Sequence, residues 1–349
     1  MAVLGAEGFD SIALADITDY WQAVGANSSI VAGAGRCGSS AFRNTSANGN
    51  GPSIGVNTSN AGGYAAWAYN PESFGVTPNF EVQAADGAVL LFARVLTDGS
   101  VDIWKGPNTT LGTLLGATPA GFVSTGHYTH IGIEWVFNAA TGLVRIWINK
   151  ALGGTPDFES TGINTTNTWT TGQWRNLAFL PKGYIDDLYW GDASGAGIDN
   201  TFMGDLRVEE QVVLTDAVGG GGFYRDWTPS SGTDHGALVD EIPPNDGTDY
   251  VASGTIGQID SFKFPPITPL SGSVYAVLLM PNMVKSVPGG RQVANFVRSG
   301  GSDFVGTAQS IAQTTYRYYP QMYALNPNGS VAWTVTTVNA MEGGVKIVA

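Results

Sequence analysis

Few side chains in this sequence could do chemistry, and their spacing does not favour it. Asp186 and Asp187 are neighbours within Tyr184-Ile185-Asp186-Asp187-Leu188-Tyr189-Trp190, a run that reads as a strand. Adjacent strand residues face opposite ways, so the two carboxylates diverge. One of them, with Asp192 and with Asp199 or Asp205 nearby, could supply the carboxylate oxygens that Ca2+ takes. The competing reading is hydrogen bonding to turn amides. Calcium is the one cofactor the residues suggest. His127 and His130 are three apart, which on a strand forms no chelate, and they read as surface histidines. Gly33-Ala34-Gly35-Arg36-Cys37-Gly38 has the spaced glycines of a dinucleotide loop. The residues after it cannot form the helix such a loop needs, so it reads as a glycine-rich turn. A retaining glycosidase pair needs carboxyls ~5 Å apart, which strand positions two or four apart supply. Glu134 stands alone, and Glu209 and Glu210 are adjacent and diverge. No Gly-x-Ser-x-Gly or His-Glu-x-x-His pattern occurs. No catalytic residue is expected, and the chain reads as non-enzymatic. The aromatic set is the larger resource, with 10 Trp, 13 Tyr and 15 Phe. Trp67, Tyr69, Trp169 and Trp174 sit beside polar, loop-like segments, where an exposed ring would stack on a sugar or anchor an interface. Trp104, Trp135 and Trp147 read as core.

The elements that must position these groups are strands. Val89 to Leu96 is apolar-rich, Thr97-Asp98-Gly99-Ser100 breaks it, and Val101-Asp102-Ile103-Trp104 resumes, a hairpin pattern. Ile131, Ile133, Trp135 and Phe137 line one face, Asn138 to Gly142 turns, and Val144, Ile146 and Ile148 return. Tyr184 to Trp190 and Leu206-Arg207-Val208 are further strands. Recurrence every ten to twenty residues fits a sandwich of antiparallel sheets. Residues 27 to 63 are rich in Asn, Ser, Thr and Gly and read as long surface loops around short strands. Gly219 to Gly222 and the breaker-rich Glu241 to Gly247 suggest an extended connection. The expected organisation is residues 1–215 as a first β domain, 216–235 as a linker, and 236–349 as a smaller C-terminal β domain for assembly or anchoring.

Composition excludes several functions. Of 349 residues 43% are hydrophobic and 13% charged, enough for a core, and the 48 glycines fit many turns between short strands. A net charge of −13 would be repelled by a phosphate backbone, so nucleic-acid binding is not expected. No apolar run approaches ~18 residues and no leader pattern is present, so neither membrane insertion nor a signal peptide is expected. The single cysteine, Cys37, fits folding in a reducing cytoplasm.

Several segments together resemble a family. Gly8-Phe9-Asp10 with Tyr20-Trp21, Gly35-Arg36-Cys37-Gly38-Ser39-Ser40-Ala41-Phe42, the Asp98-Gly99 hairpin, the Trp135 and Trp147 strands, and Tyr184 to Tyr189 resemble concanavalin-A-like and laminin-G-like jelly rolls. Phe202-Met203-Gly204-Asp205-Leu206-Arg207-Val208 resembles their closing strand. Ala332-Trp333-Thr334 and Asn339-Ala340-Met341-Glu342-Gly343-Gly344-Val345-Lys346 are similar to the end of the β-rich domain in structural proteins of tailed bacteriophages. The resemblance implies an all-β fold, a concanavalin-A-like antiparallel jelly-roll sandwich followed by a second, smaller β-sandwich. It implies a virion component assembled in the host cytoplasm: a minor tail protein, a tail or head fibre, or a decoration protein. Its partners would be other virion proteins and further copies of itself, a trimer being favoured. A carbohydrate-binding module that recognises a host-surface glycan is the alternative, and a polysaccharide-degrading enzyme a third. Ser273 to Met280 carries no charge and Val345 to Val348 is largely apolar, so both read either as edges poor at repelling a neighbour or as buried central strands.

Overall fold

The computed structural model describes residues 3–349 except 46–50, 57, 59, 76, 108–111, 168–172, 195–200, 268–271 and 288. The chain divides into two units, Met1–Asp10 with Leu14–Val208, and Ser11–Ala13 with Glu209–Ala349. In the first unit the described strands are β1 (Val3–Glu7), β2 (Ser28–Val31), β3 (Ala41–Asn44), β4 (Ser53–Gly55), β5 (Gly62–Pro71), β6 (Phe80–Gln83), β7 (Val89–Val95), β8 (Val101–Lys105), β9 (Thr113–Ala117), β10 (Thr129–Val136), β11 (Gly142–Ile148), β12 (Phe158–Ile163), β13 (Asn176–Phe179) and β14 (Gly183–Asp192).

They form two sheets. One runs β12-β11-β10-β5-β14-β3-β2, with β1 also on β14; the other runs β4-β13-β6-β7-β8-β9. The apolar faces meet in an aromatic core. Trp67 of β5 stacks on Phe80 of β6 at 5.1 Å, and Trp135 of β10 lies 5.9 Å from Phe80. Each such ring buries ~200 Å², worth ~5 kcal/mol as an upper figure before ordering entropy. This is the expected antiparallel jelly-roll sandwich.

Turn chemistry fixes the register. Between β7 and β8, Gly99 takes φ +77°, a conformation that favours glycine. Asp98 there accepts bonds from the Ser100 amide (2.9 Å) and hydroxyl (2.6 Å), which hold its carboxyl below the ordinary range. Between β10 and β11, Asn138 Oδ1 accepts from the Ala140 and Thr141 amides at 2.8 Å.

The larger sheet is buried on its second face as well. Residues 202–208, expected as a closing strand, form no strand here and cross that face as a strap. Phe202 stacks on Trp147 at 4.7 Å, over Gly132, where a Cβ would stand 2.3 Å from the Phe202 ring. The Tyr189 hydroxyl donates to Gly204 O (2.7 Å), and the Asp205 amide to Lys150 O (2.7 Å).

The second unit adds β15 (Gly221–Arg225), β16 (Thr228–Pro229), β17 (Val251–Ala252), β18 (Ile259–Phe262), β19 (Ser273–Val274), β20 (Val277–Leu279), β21 (Asn282–Met283), β22 (Gln292–Ser299), β23 (Ser302–Ser310), β24 (Arg317–Tyr318), β25 (Gln321–Tyr323), β26 (Trp333–Thr334) and β27 (Glu342–Ile347). A five-stranded sheet of order β15-β18-β27-β22-β23 carries two apolar clusters, one around Val297, Tyr323 and Trp333, the other around Val293, Val345 and Ile347. The remaining strands pair two by two as β16-β17, β19-β26, β20-β25 and β21-β24.

Two expectations change here. Residues 216–235 are not an extended connection, since they contain β15, the sheet's edge. The glycine run is there for close approach: a Cβ at Gly220 would stand 2.1 Å from Leu214 O, and at Gly222 1.9 Å from Ser261 O. One candidate edge also changes: Val345 to Ile347 belongs to a central strand, whereas Ser273–Val274 and Val277–Leu279 pair on one side only, with β26 and β25.

Candidate functional site

The Asp186-Asp187 pair sits where β14 breaks step with β5, the register slipping between Asp186 and Tyr189. Asp187 adopts φ +50°, a left-handed conformation that Asp and Asn tolerate better than most. This break overturns the expected divergence, because both carboxylates engage the Arg36 turn. Asp186 Oδ2 accepts from the Arg36 amide and the Ser39 hydroxyl, both at 2.8 Å, and its Oδ1 from the Asp187 amide at 2.7 Å. Asp187 Oδ1 accepts from the Val208 amide (2.8 Å), while its Oδ2 lies 3.5 Å from Arg36 Nη1. The Arg36 guanidinium also pairs with Asp205 of the strap. Gly35 is needed for the approach, since a Cβ there would stand 2.7 Å from Asp186 Oδ2. The glycine-rich turn is thus a clamp built around carboxylates. Burial pushes Asp186 up to about 6 despite its hydrogen bonds. Burial, with the charge of Asp186 added, pushes Asp187 up to about 7.

The three expected calcium ligands do not fit the ion. Asp192 is occupied elsewhere, accepting from the Thr58 hydroxyl (2.7 Å), the Asn60 amide group (2.8 Å) and the Ser194 amide (3.0 Å). Ca2+ requires six to eight oxygens around it. Asp186 is engaged by backbone and Ser39, and the remaining oxygen of Asp187 faces a guanidinium. Among the described residues no group of three or more His, Cys, Asp or Glu is placed to hold a metal.

The aromatic candidates are core residues. Trp67 is 2% exposed, Tyr69 1% and Trp174 0%. Trp174 packs edge-on to Trp135 at 5.2 Å, its Nε1 donating to Gly62 O (3.1 Å), and the Tyr69 hydroxyl donates to Lys182 O (3.3 Å). A buried ring has no face left for a sugar, so these three are withdrawn as ligand contacts. Trp169 lies outside the described residues. In the first unit Trp104, read from sequence as core, is less buried than these three. It is half-buried on the outer face of the smaller sheet, parallel to Phe92 at 6.1 Å, with the Arg94 guanidinium 4.9 Å from its ring and paired to Asp102.

His127 is exposed, but His130 is not the surface residue expected. It is 1% exposed, neither ring nitrogen has a hydrogen-bond partner, and it lies between Tyr189 and Phe202, each ring 6.0 Å away. Burial pushes it down to about 4, so it is neutral near pH 7. Glu134 faces Arg145 at 3.2 Å and the Thr201 hydroxyl at 3.3 Å. Sequence reading missed a buried His235–Asp260 contact, Nδ1 to Oδ2 at 2.8 Å. It activates no nucleophile visible among the described residues: the neighbouring Ser261 hydroxyl donates to Glu342 at 2.8 Å. Nothing in the spacing of 235 and 260 could have signalled that pair.

Exposed apolar side chains are unevenly divided. Twelve large ones are exposed among the described residues, three in the first unit (Leu14, Leu114, Leu152) and nine in the shorter second unit. Phe223 is 64% exposed, Ile256 65% and Val331 55%.

No protein-family model matches the chain, and no curated protein matches it. Solved structures similar to parts of it include a homodimeric agglutinin from chicken liver, at 14% identity and TM-score 0.26, covering 39% of this chain and 94% of that one. A toad ovary galectin in complex with thio-digalactose has 9% identity and TM-score 0.28, covering 40% and 97%. A Shewanella oneidensis protein of unknown function has 8% identity and TM-score 0.27, covering 55% and 76%. At these scores the fold assignment rests on the strand order itself.

Proposed function

We propose that the chain is a non-enzymatic structural component of a larger particle, of the tailed-bacteriophage virion kind its sequence resembles, with subunit contacts made through the second unit. The observation that carries this is the uneven division of exposed apolar side chains, nine in that unit against three in the first, each available to a neighbouring subunit. It is supported by the state of the candidate chemistry: Asp186, Asp187, Asp192 and Glu134 are engaged by their own chain, and Asp260 holds His235. The test is the chain's presence at fixed stoichiometry in purified particles, with incorporation reduced by Phe223→Ser and Ile256→Ser but not by Leu114→Ser. Particles that lack the chain would sink the reading.

Carbohydrate recognition is the second reading, favoured by the half-buried Trp104 ring on the smaller sheet, which the buried Arg94–Asp102 pair holds in place. Binding to a glycan array that Trp104→Ala abolishes without lowering the melting temperature would support it; silence on every glycan would remove it.

A further inference from the structure

The five-stranded sheet of the second unit ends on β23, which pairs with β22 and, among the described strands, with nothing else. It is nine residues long and exposed at six of them. Its open edge can be read from hydrogen bonds on the far side of β22. The Gln292 amide donates to Ala349 O (2.8 Å) and the Val348 amide to Gln292 O (2.9 Å). In an antiparallel ladder such bonding alternates, so Gln292, Ala294, Phe296 and Arg298 direct their backbone groups towards β27. Their cross-strand partners Ser310, Ala308, Val305 and Asp303 therefore direct theirs away from β22, into the open edge.

Edges are commonly blunted with Lys, Pro or short length. β23 has no Lys or Pro, and its one charge, Asp303, is paired with Arg298 and accepts from the Tyr224 hydroxyl. A bulge does fall at its middle, between the Ala294 and Phe296 pairings. There the Thr307 amide donates to Gln321 Oε1 at 3.1 Å, so the central donor is satisfied within the chain.

We propose that two copies of this chain join by antiparallel pairing of β23 with β23 across a two-fold axis, Val305 opposite Ala308 and Asp303 opposite Ser310 of the second copy. This rests on the assembly reading above and names the contact. The argument for a second copy is self-complementarity. The bulge shifts the outward positions from 303 and 305 to 308 and 310, and in this register outward groups meet outward groups on both sides of the axis. Side chains agree as well. Val305 and Ala308 lie opposite Phe296 and Ala294, on one face, while Phe304 and Gln309 lie opposite Val297 and Val293, on the other. Asp303 meets Ser310 and never itself, so no like charges oppose. The 46% exposed Val305 is covered in the pair. A two-fold pairing closes on itself and gives a dimer, not the trimer favoured from the sequence.

The test is the mass of the full chain in solution by light scattering over a wide concentration range. The expected result is twice 36.5 kDa. Val305→Pro removes an outward amide and leaves the β22 ladder its bonds, so it should give the monomer mass with the melting temperature kept. Val305→Lys should do the same and carries the test if the proline variant fails to fold. A wild type that stays monomeric throughout, or a dimer that survives Val305→Lys, overturns the pairing. A monomer in solution that is still found in particles refutes only the pairing; a dimer that is absent from particles refutes only the assembly reading.

Discussion

Replacing Asp187 by Asn should stabilise the protein, increasingly so as the pH rises. The carboxyl is buried and titrates at about 7 in the fold against an ordinary 3.8. A carboxyl whose folded pKa is raised contributes stability that is fully present below its unfolded pKa and lost as pH rises through the folded one. The loss therefore develops between about pH 4 and 7. The interval corresponds to ~4 kcal/mol at ~1.36 kcal/mol per pH unit. Asp186 titrates with it, so removing one member of the pair recovers less, ~2 kcal/mol. Asn retains the Oδ1 that accepts the Val208 amide and tolerates the left-handed backbone. Arg36 keeps its pairing with Asp205. For a unit of this size ~2 kcal/mol raises the melting temperature by ~4–8 °C. Thermal melts of both proteins from pH 4.5 to 8.5 are the assay, read as the gap between them. The gap should be small at the acid end, widen to pH 7, and stay level above. A gap independent of pH, or an Asn variant that melts lower at pH 8, would show that the 3.5 Å Arg36 contact outweighs burial and refute the reasoning.

Four further outcomes are expected. Trp174→Ala should lower stability by ~3–5 kcal/mol through loss of core packing, seen in denaturant melts; near-wild-type stability would return Trp174 to the surface. Phe202→Ala should cost ~3 kcal/mol and speed hydrogen exchange at the Gly204 to Val208 amides, and unchanged exchange would mean that the strap is held without its ring. Limited proteolysis should cut first at the exposed Ser230–Thr233 or Ile242–Thr248 segments, whereas a first cut at Gly219–Gly222 would restore the linker reading. Cys37, at φ +69°, should gain ~0.5–1 kcal/mol on replacement by Gly, measured by melting; a loss would show a contact of the thiol that geometry does not reveal.

The strands were legible because alternation and turn residues are local. Asp98-Gly99 and Asn138 mark hairpins by their own hydrogen bonds, and Tyr184 to Trp190 lies within β14. What alternation does not say is what covers a face. Trp174 has polar neighbours because it lies just before β13, and Trp67 is in the interior of β5, buried by a sheet that its own segment does not reveal. Phe202 to Val208 has the residues of a strand yet crosses a sheet, a choice made by the Trp147 and Gly132 surface that receives it. The glycines at 219–222 show that side chains are absent; whether the reason is freedom or crowding depends on Leu214 and Ser261, and those contacts are tertiary. The carboxylate pair was found by type, but its geometry depends on a register slip that no local pattern encodes.

The sheet of the second unit is threaded out of order, β27 lying between β18 and β22. On the ribosome, β18 and β22 emerge well before the strand that must separate them. Until it arrives both present bare ladder groups, and each could be met by a neighbouring nascent chain on the same message. The same holds in the first unit for β5 and β3, which wait for β14. A chain made in many copies at once therefore needs late strands delivered promptly or early strands shielded, so its yield should depend on translation speed and chaperone supply more than on the stability of the finished fold.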